Sequence, residues 1–172
     1  MKLADLQLLK PRIFCDERGY FFENFRVTNV NISFVQENIS FSYKNTLRGL
    51  HFQRSPGQDK LVQCLFGKIF DVVVDIRPDS STFGQWKAFE LDGVFHSQLL
   101  IPVGFAHGFC VLSETALVQY KVSSFYDPKE EKAIRWNDPQ LNIDWPIANP
   151  ILSEKDRKSP LLNEYLYAVD HR

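Results

Sequence analysis

The sequence predicts an all-β domain, an antiparallel sandwich or barrel with a few short helical turns. Three observations carry that reading. Short apolar runs recur with turn residues between them, the spacing of an antiparallel β fold. Aromatic residues are abundant, with 15 Phe, 6 Tyr and 3 Trp, and such residues favour strands with wide interior faces. The stretch 116–122 alternates cleanly: Ala116, Val118, Tyr120 and Val122 share one face, and Leu117, Gln119 and Lys121 share the other.

Taken in chain order, residues 61–66, Gly67-Lys68 and residues 69–76 read as a hairpin. Residues 86–91, 98–101, 109–112 and 116–122 follow as further strands. Helical signals are weak; the best is SEKD, where Ser153 caps a short turn with Asp156 at its third position. No repeat, low-complexity tract or linker interrupts the chain, so residues 1–172 read as one domain.

Composition narrows the function classes. Hydrophobic residues make up 44% and charged residues 24%, ordinary for a globular chain. The net charge of −1 gives no global field toward nucleic acid or an anionic membrane, so an anionic ligand must be held by a few placed cations. Cys15, Cys64 and Cys110 are odd in number and follow no CxxC spacing, which reads as reduced thiols in the cytoplasm. The N-terminal MKLADLQLLKPRIF lacks the apolar core of a signal peptide, and no run is long enough to span a membrane.

Four histidines are present: His51, His96, His107 and His171. His51 lies in LRGLHFQ and His107 in IPVGFAHGF. The second segment matches the PxGxxH element of cupin barrels, in which Pro and Gly shape a turn that delivers His into the barrel. A metal-binding cupin carries His-x-His and then a glutamate; here the counterpart is His51-Phe52-Gln53, followed by Lys60. Two histidines beside a lysine suit an anionic intermediate better than a divalent cation. Each residue alone has an ordinary explanation: a hydrogen-bonded histidine, a core tyrosine at 120, solvated charges at Arg18, Arg48 and Lys60, a cap accessory at Asp156. The combination is what carries chemistry.

That combination resembles the dTDP-4-dehydrorhamnose 3,5-epimerases. The resemblance runs nearly end to end, through DERGYFFE, FVQENIS, LRGLHFQ, GKIFDVVVDIR, TFGQW, IPVGFAHGF, QYKVSSFYDP, IRWNDP and LSEKDR. It implies a cupin, or double-stranded β-helix jelly-roll, barrel and a metal-independent, cofactor-free epimerase acting on a dTDP-4-keto-6-deoxyhexose. His51 matches the family's general base, Asp156 its paired carboxylate and Tyr120 the proton donor on the opposite face. Lys60, Arg48 and His107 match site-lining residues. Arg18, Glu23, Gln36, Asn38, Glu131 and Lys155 match further substrate contacts. Tyr126 matches an aromatic that stacks on thymine, with Phe21 a second stacking candidate. The resemblance also implies a homodimer, with Glu23 reaching the partner's site.

Two departures stand out. FRVTNVNISFVQEN is shorter than the family's corresponding segment, which trims a helix and leaves the site intact. The loop between His51 and Lys60 is about a residue shorter, which bears on where Lys60 reaches.

Strict alternation puts Arg48 and His51 on opposite faces of a strand, so both line one site only if Gly49 hosts a bulge or bend. Irregular backbone over 48–51 is therefore expected. Rival readings remain at this level: epimerisation at C3 or C5 alone, ketone isomerisation, a metal-binding cupin, or a sugar-nucleotide binding module without turnover.

Overall fold

The structure is a computed structural model that describes residues 3–165; His171 lies outside the described residues. Its strands are β1 (Gln7–Leu9), β2 (Ile13–Asp16), β3 (Gly19–Phe22), β4 (Gln36–Tyr43), β5 (Leu47–Gln53), β6 (Lys60–Phe66), β7 (Lys68–Asp75), β8 (Trp86–Asp92), β9 (Gln98–Ile101), β10 (Phe105–Val111), β11 (Thr115–Val122) and β12 (Glu131–Ala133). They form two five-stranded sheets, the first ordered β1-β9-β6-β11-β4 and the second β12-β5-β10-β7-β8. β2 and β3 pair with each other as a separate two-stranded arm. The expected all-β jelly-roll barrel is thus the architecture found.

The inner faces of the two sheets meet in the core. Val62, Cys64 and Val118 come from the first sheet; Val73, Phe105 and Phe109 come from the second. Behind the second sheet, Ile134, Leu141 and Leu162 cover Leu50, Val72, Val74 and Ala106. Behind the first, Phe25, Val30 and Phe34 cover Leu61 and Leu100. Strands buried on both faces lose their alternation, which is why β7 reads as an unbroken apolar run through Val72, Val73 and Val74.

The expected hairpin over residues 61–76 does not exist. β6 pairs with β9 and β11 in the first sheet, whereas β7 pairs with β8 and β10 in the second. Gly67, at φ +80°, turns a corner between sheets, where a Cβ would lie 2.1 Å from the Thr115 carbonyl oxygen. The Lys68 N–H donates to Ser113 Oγ at 2.7 Å, locking this corner to the one that joins β10 to β11. A glycine turn between apolar runs marks a hairpin when one strand face is wet. With both faces buried, the pattern does not say in which sheet the next strand lies.

β10 also starts at Phe105 rather than at residue 109, because Gly104 completes the preceding turn at φ +93° and feeds the strand directly. At the C-terminal end the short helix α1 (Glu154–Arg157) is capped as expected, Ser153 Oγ accepting from the Asp156 N–H at 3.0 Å.

Candidate active site

The backbone over 48–51 is irregular, as the sequence required. Phe109 pairs with Arg48 but His107 pairs with His51, so β5 carries an extra residue opposite β10. Gly49 makes the bulge possible at φ +143°. Its result is that Arg48 and His51 both line one cavity of about 390 Å³, within the range of small-ligand pockets.

His51, Arg48, His107 and Glu131 enter this cavity from the second sheet; Tyr120, Lys60, Gln36 and Asn38 enter from the first. His51 and Tyr120 therefore approach the same space from opposite walls. Asp156 closes the site behind His51, its Oδ1 lying 2.5 Å from His51 Nε2. Burial pushes the Asp156 carboxyl up, but the His51 hydrogen bond, the His51 charge and the Ser153 hydroxyl hold it below the usual carboxylate range. An ionised Asp156 accepts the Nε2 proton and leaves Nδ1 as the basic nitrogen of a neutral imidazole.

Lys60 reaches the cavity despite the short preceding loop. Its Nζ donates to the His51 carbonyl oxygen at 3.1 Å. Burial pushes the ammonium down to about 8, against the pull of the Glu131 and Asp71 carboxylates. Burial, reinforced by Glu131 and opposed by Arg48, raises Tyr120 instead, so its phenol stays protonated at neutral pH.

A polar rim runs along the cavity mouth. The Glu131 carboxylate accepts from Tyr126 Oη at 2.7 Å and also from Lys155. Burial raises Glu131, but Lys155, Tyr126 and His51 together hold it below its ordinary value. The Tyr126 N–H donates to Gln36 Oε1 at 2.9 Å, and Gln36 Nε2 donates to Asn38 Oδ1 at 2.9 Å. The Tyr126 ring stays half exposed, a flat face open to a ligand.

Five expected residues do not line this cavity: Asp156 reaches it through His51 and Lys155 through Glu131, while the other three lie apart. Arg18, Phe21 and Glu23 belong to the β2–β3 arm and the chain just after it, where Arg18 pairs with Asp16 and Glu23 with Arg26. Phe21 is 70% exposed.

Other residues escaped the sequence reading. Asp71, fully buried, places Oδ2 2.8 Å from His107 Nε2 and gives the second histidine its own carboxylate. The signal was present: Ile69, Asp71 and Val73 alternate on one face of β7, an acid in an apolar row. Ser42 accepts from Arg48 Nε at 3.0 Å and aims that guanidinium. Gln53 holds the loop that carries Tyr126, donating to the Phe125 carbonyl and accepting from the Asp127 N–H. Among the described residues no group of three His, Cys, Asp or Glu side chains is arranged to hold a metal ion.

Known proteins share this sequence and fold. The sequence profile of the dTDP-4-dehydrorhamnose 3,5-epimerases matches residues 1–164. The enzyme of that name from Salmonella typhimurium is 48% identical over 172 residues, covering 95% of this chain and 94% of its own. A Bacillus anthracis dTDP-4-dehydrorhamnose 3,5-epimerase, solved with TDP and PPi bound, superposes with a TM-score of 0.90 at 47% identity, covering 94% of this chain and 96% of its own. A Legionella pneumophila dTDP-6-deoxy-D-glucose-3,5-epimerase, solved with dTDP-4-keto-L-rhamnose, gives 0.88 at 47% identity, covering 92% and 88%. On profile, identity and superposition alike, the chain belongs to the dTDP-4-dehydrorhamnose 3,5-epimerase family.

Proposed function

We propose that this protein is a dTDP-4-dehydrorhamnose 3,5-epimerase, converting dTDP-4-dehydro-6-deoxy-D-glucose to dTDP-4-dehydro-L-rhamnose. The observation that carries the residue assignment is that His51, backed by Asp156, and the Tyr120 phenol line one cavity from opposing sheets. Carbons 3 and 5 flank the C4 ketone, so loss of a proton from either leaves an enolate with its charge on O4. His51 Nδ1 takes the proton, and Asp156 stabilises the imidazolium that forms. Tyr120 returns a proton to the far face, which inverts the centre; it then recovers its own proton from solvent, and the His51 imidazolium releases the abstracted one to solvent. Each acid–base group contributes about 10²–10⁴-fold. The Lys60 ammonium, poised beside His51, stabilises O4 by roughly 3–4 kcal/mol.

Binding rests on placed charge and one flat ring. Arg48 and Lys155 hold the diphosphate, with His107, Asn38 and Glu131 lining its path. Thymine stacks on Tyr126 beside Gln36.

The functional unit is a homodimer. Arg18, Phe21 and Glu23 have no place in their own chain's cavity and instead complete the partner's. Phe14 and Phe21 share the arm face opposite Tyr20 and Phe22 and are 50% and 70% exposed. β4 is an edge strand whose outward Ile39, Phe41 and Tyr43 are each more than half exposed, an apolar strip suited to a second copy. The protein works in the cytoplasm on cell-surface polysaccharide precursors; its free thiols suit a reducing compartment, and no described helix is long and apolar enough to cross a membrane.

Turnover in heavy water tests the reading. Deuterium at both C3 and C5 is expected. Label at one carbon alone assigns a single-position epimerase and overturns the double assignment.

A further inference from the structure

The outer face of the first sheet carries a row of glutamines that the chemistry above does not use. Gln119 on β11 stands opposite Gln63 on β6, and Gln63 stands opposite Gln98 on β9. Three amides in register on a sheet face packed by apolar chain are costly to bury unless each finds partners. Gln98 and Gln119 find them in the chain that roots the arm, and Gln63 finds them in Gln98 and His96. Gln98 Nε2 donates to the Asn24 carbonyl at 2.8 Å and to Asn24 Oδ1 at 3.0 Å, while Asn24 Nδ2 donates to Gln119 Oε1 at 3.4 Å. Gln63 Nε2 donates to the His96 carbonyl at 3.0 Å.

His96 carries the relay to the arm itself. It is 3% exposed, stacks on Phe22 with ring centroids 4.5 Å apart, and places Nε2 3.0 Å from Tyr20 Oη. Its Nδ1 is buried without a hydrogen-bond partner in the structure. A buried orphan acceptor costs less than an orphan N–H, so the proton sits on Nε2 and is donated to Tyr20. The residue adopts φ +50°, a left-handed conformation that few side chains tolerate and that surrounding contacts must hold.

We propose that His96, with the Gln63, Gln98 and Asn24 amides, is a positioning clamp that presets the arm for the partner's nucleotide. The clamp grips Tyr20 and Phe22, and the residues it presents are Arg18, Phe21 and Glu23. This rests on the reading that the arm completes a second copy's site. Preorganising a binding segment raises affinity by removing the ordering cost at the moment of binding. None of the clamp residues lines the cavity that holds His51, Tyr120 and Lys60.

The test compares wild type with H96N, which keeps a residue tolerant of positive φ, and with Q98M, which keeps side-chain length but loses the amide. KM, kcat, dTDP affinity, melting temperature and amide hydrogen exchange over residues 13–23 are measured on the full chain. The expected result is a roughly tenfold rise in KM and in the dTDP Kd, kcat within about twofold, and faster exchange confined to the arm. R18A is the reference for the arm's own contribution and should raise KM. If R18A raises KM and both H96N and Q98M leave it unchanged, the clamp falls and the arm reading stands. If R18A leaves KM and dTDP affinity unchanged, the arm reading falls and takes the clamp with it. A loss confined to kcat, or a collapse of melting temperature in both H96N and Q98M, also overturns the clamp.

Discussion

Gly49 and Gly108 leave each other no room for a side chain. A Cβ added to Gly49 would stand 2.6 Å from the Gly108 Cα, and one added to Gly108 would stand 2.9 Å from the Gly49 Cα. Their contact seats β5 against β10 at the bulge, which brings Arg48 and His51 to one cavity and sets His107 beside them. Gly108→Ala should therefore separate the two strands and misplace both histidines together. The expected cost is about 1–3 kcal/mol of stability from overpacking and a fall in kcat of at least about 10²-fold from misplacement of reacting groups. Thermal melts and turnover of the dTDP-ketosugar measure the two effects.

Asp156→Asn tests the tautomer argument. An amide presents a donor or an acceptor to Nε2 but no charge, so the imidazolium loses its stabilising partner. We expect kcat to fall by about 10²–10⁴-fold with dTDP affinity nearly unchanged, read by calorimetry. Because Asp156 is held below its ordinary value in the fold, it stabilises the protein above pH 4 and loses that contribution as acid titrates it. The variant should consequently show less acid destabilisation than wild type in melts run between neutral pH and pH 3.

Tyr120→Phe separates exchange from inversion. His51 can still remove and return protons from its own side, so solvent deuterium should enter the substrate while the product sugar fails to accumulate. Mass spectrometry and a reductase-coupled assay report these independently. Full turnover by the variant would assign the donor elsewhere.

Lys60 sets stability against activity. A lysine whose proton is lost near pH 8 in the fold penalises the native state wherever it is charged. The penalty is full below pH 8, fades as pH rises toward the ordinary lysine value and vanishes above it. Lys60→Met should raise the melting temperature by several degrees at pH 7 and lower kcat by about 10²–10³-fold. In wild type, kcat should decline above pH 8 as the ammonium is lost, and that limb should be absent from the variant's residual activity.

Much of the site was legible because its residues sit in short segments whose chemistry is local. LRGLHFQ announced both His51 and, through Gly49, the bulge beside it. SEKD announced a capped turn that carries Asp156, and the alternation of 116–122 put Tyr120 on the inner face with Val118 and Val122. Asp71 was missed although its place in the β7 alternation was plain, since an acid in an apolar run declares no partner until His107 is seen against it. His96 was missed for a related reason: nothing near it in sequence points to Tyr20 or Gln63.

Local pattern thus determined strand content and inward faces, since backbone sterics and side-chain periodicity act over a few positions, while the catalytic roles came from the family resemblance. Which sheet each strand joined was decided only in three dimensions. β6 and β7 part company at Gly67 because two-sided burial erases the cue that names a strand's neighbour. The fold likewise decides how His51 and Asp156, which the family resemblance pairs, meet across 105 residues, and where the arm stands relative to its own cavity. Contacts between distant segments depend on how whole layers pack, and no window of sequence contains that information.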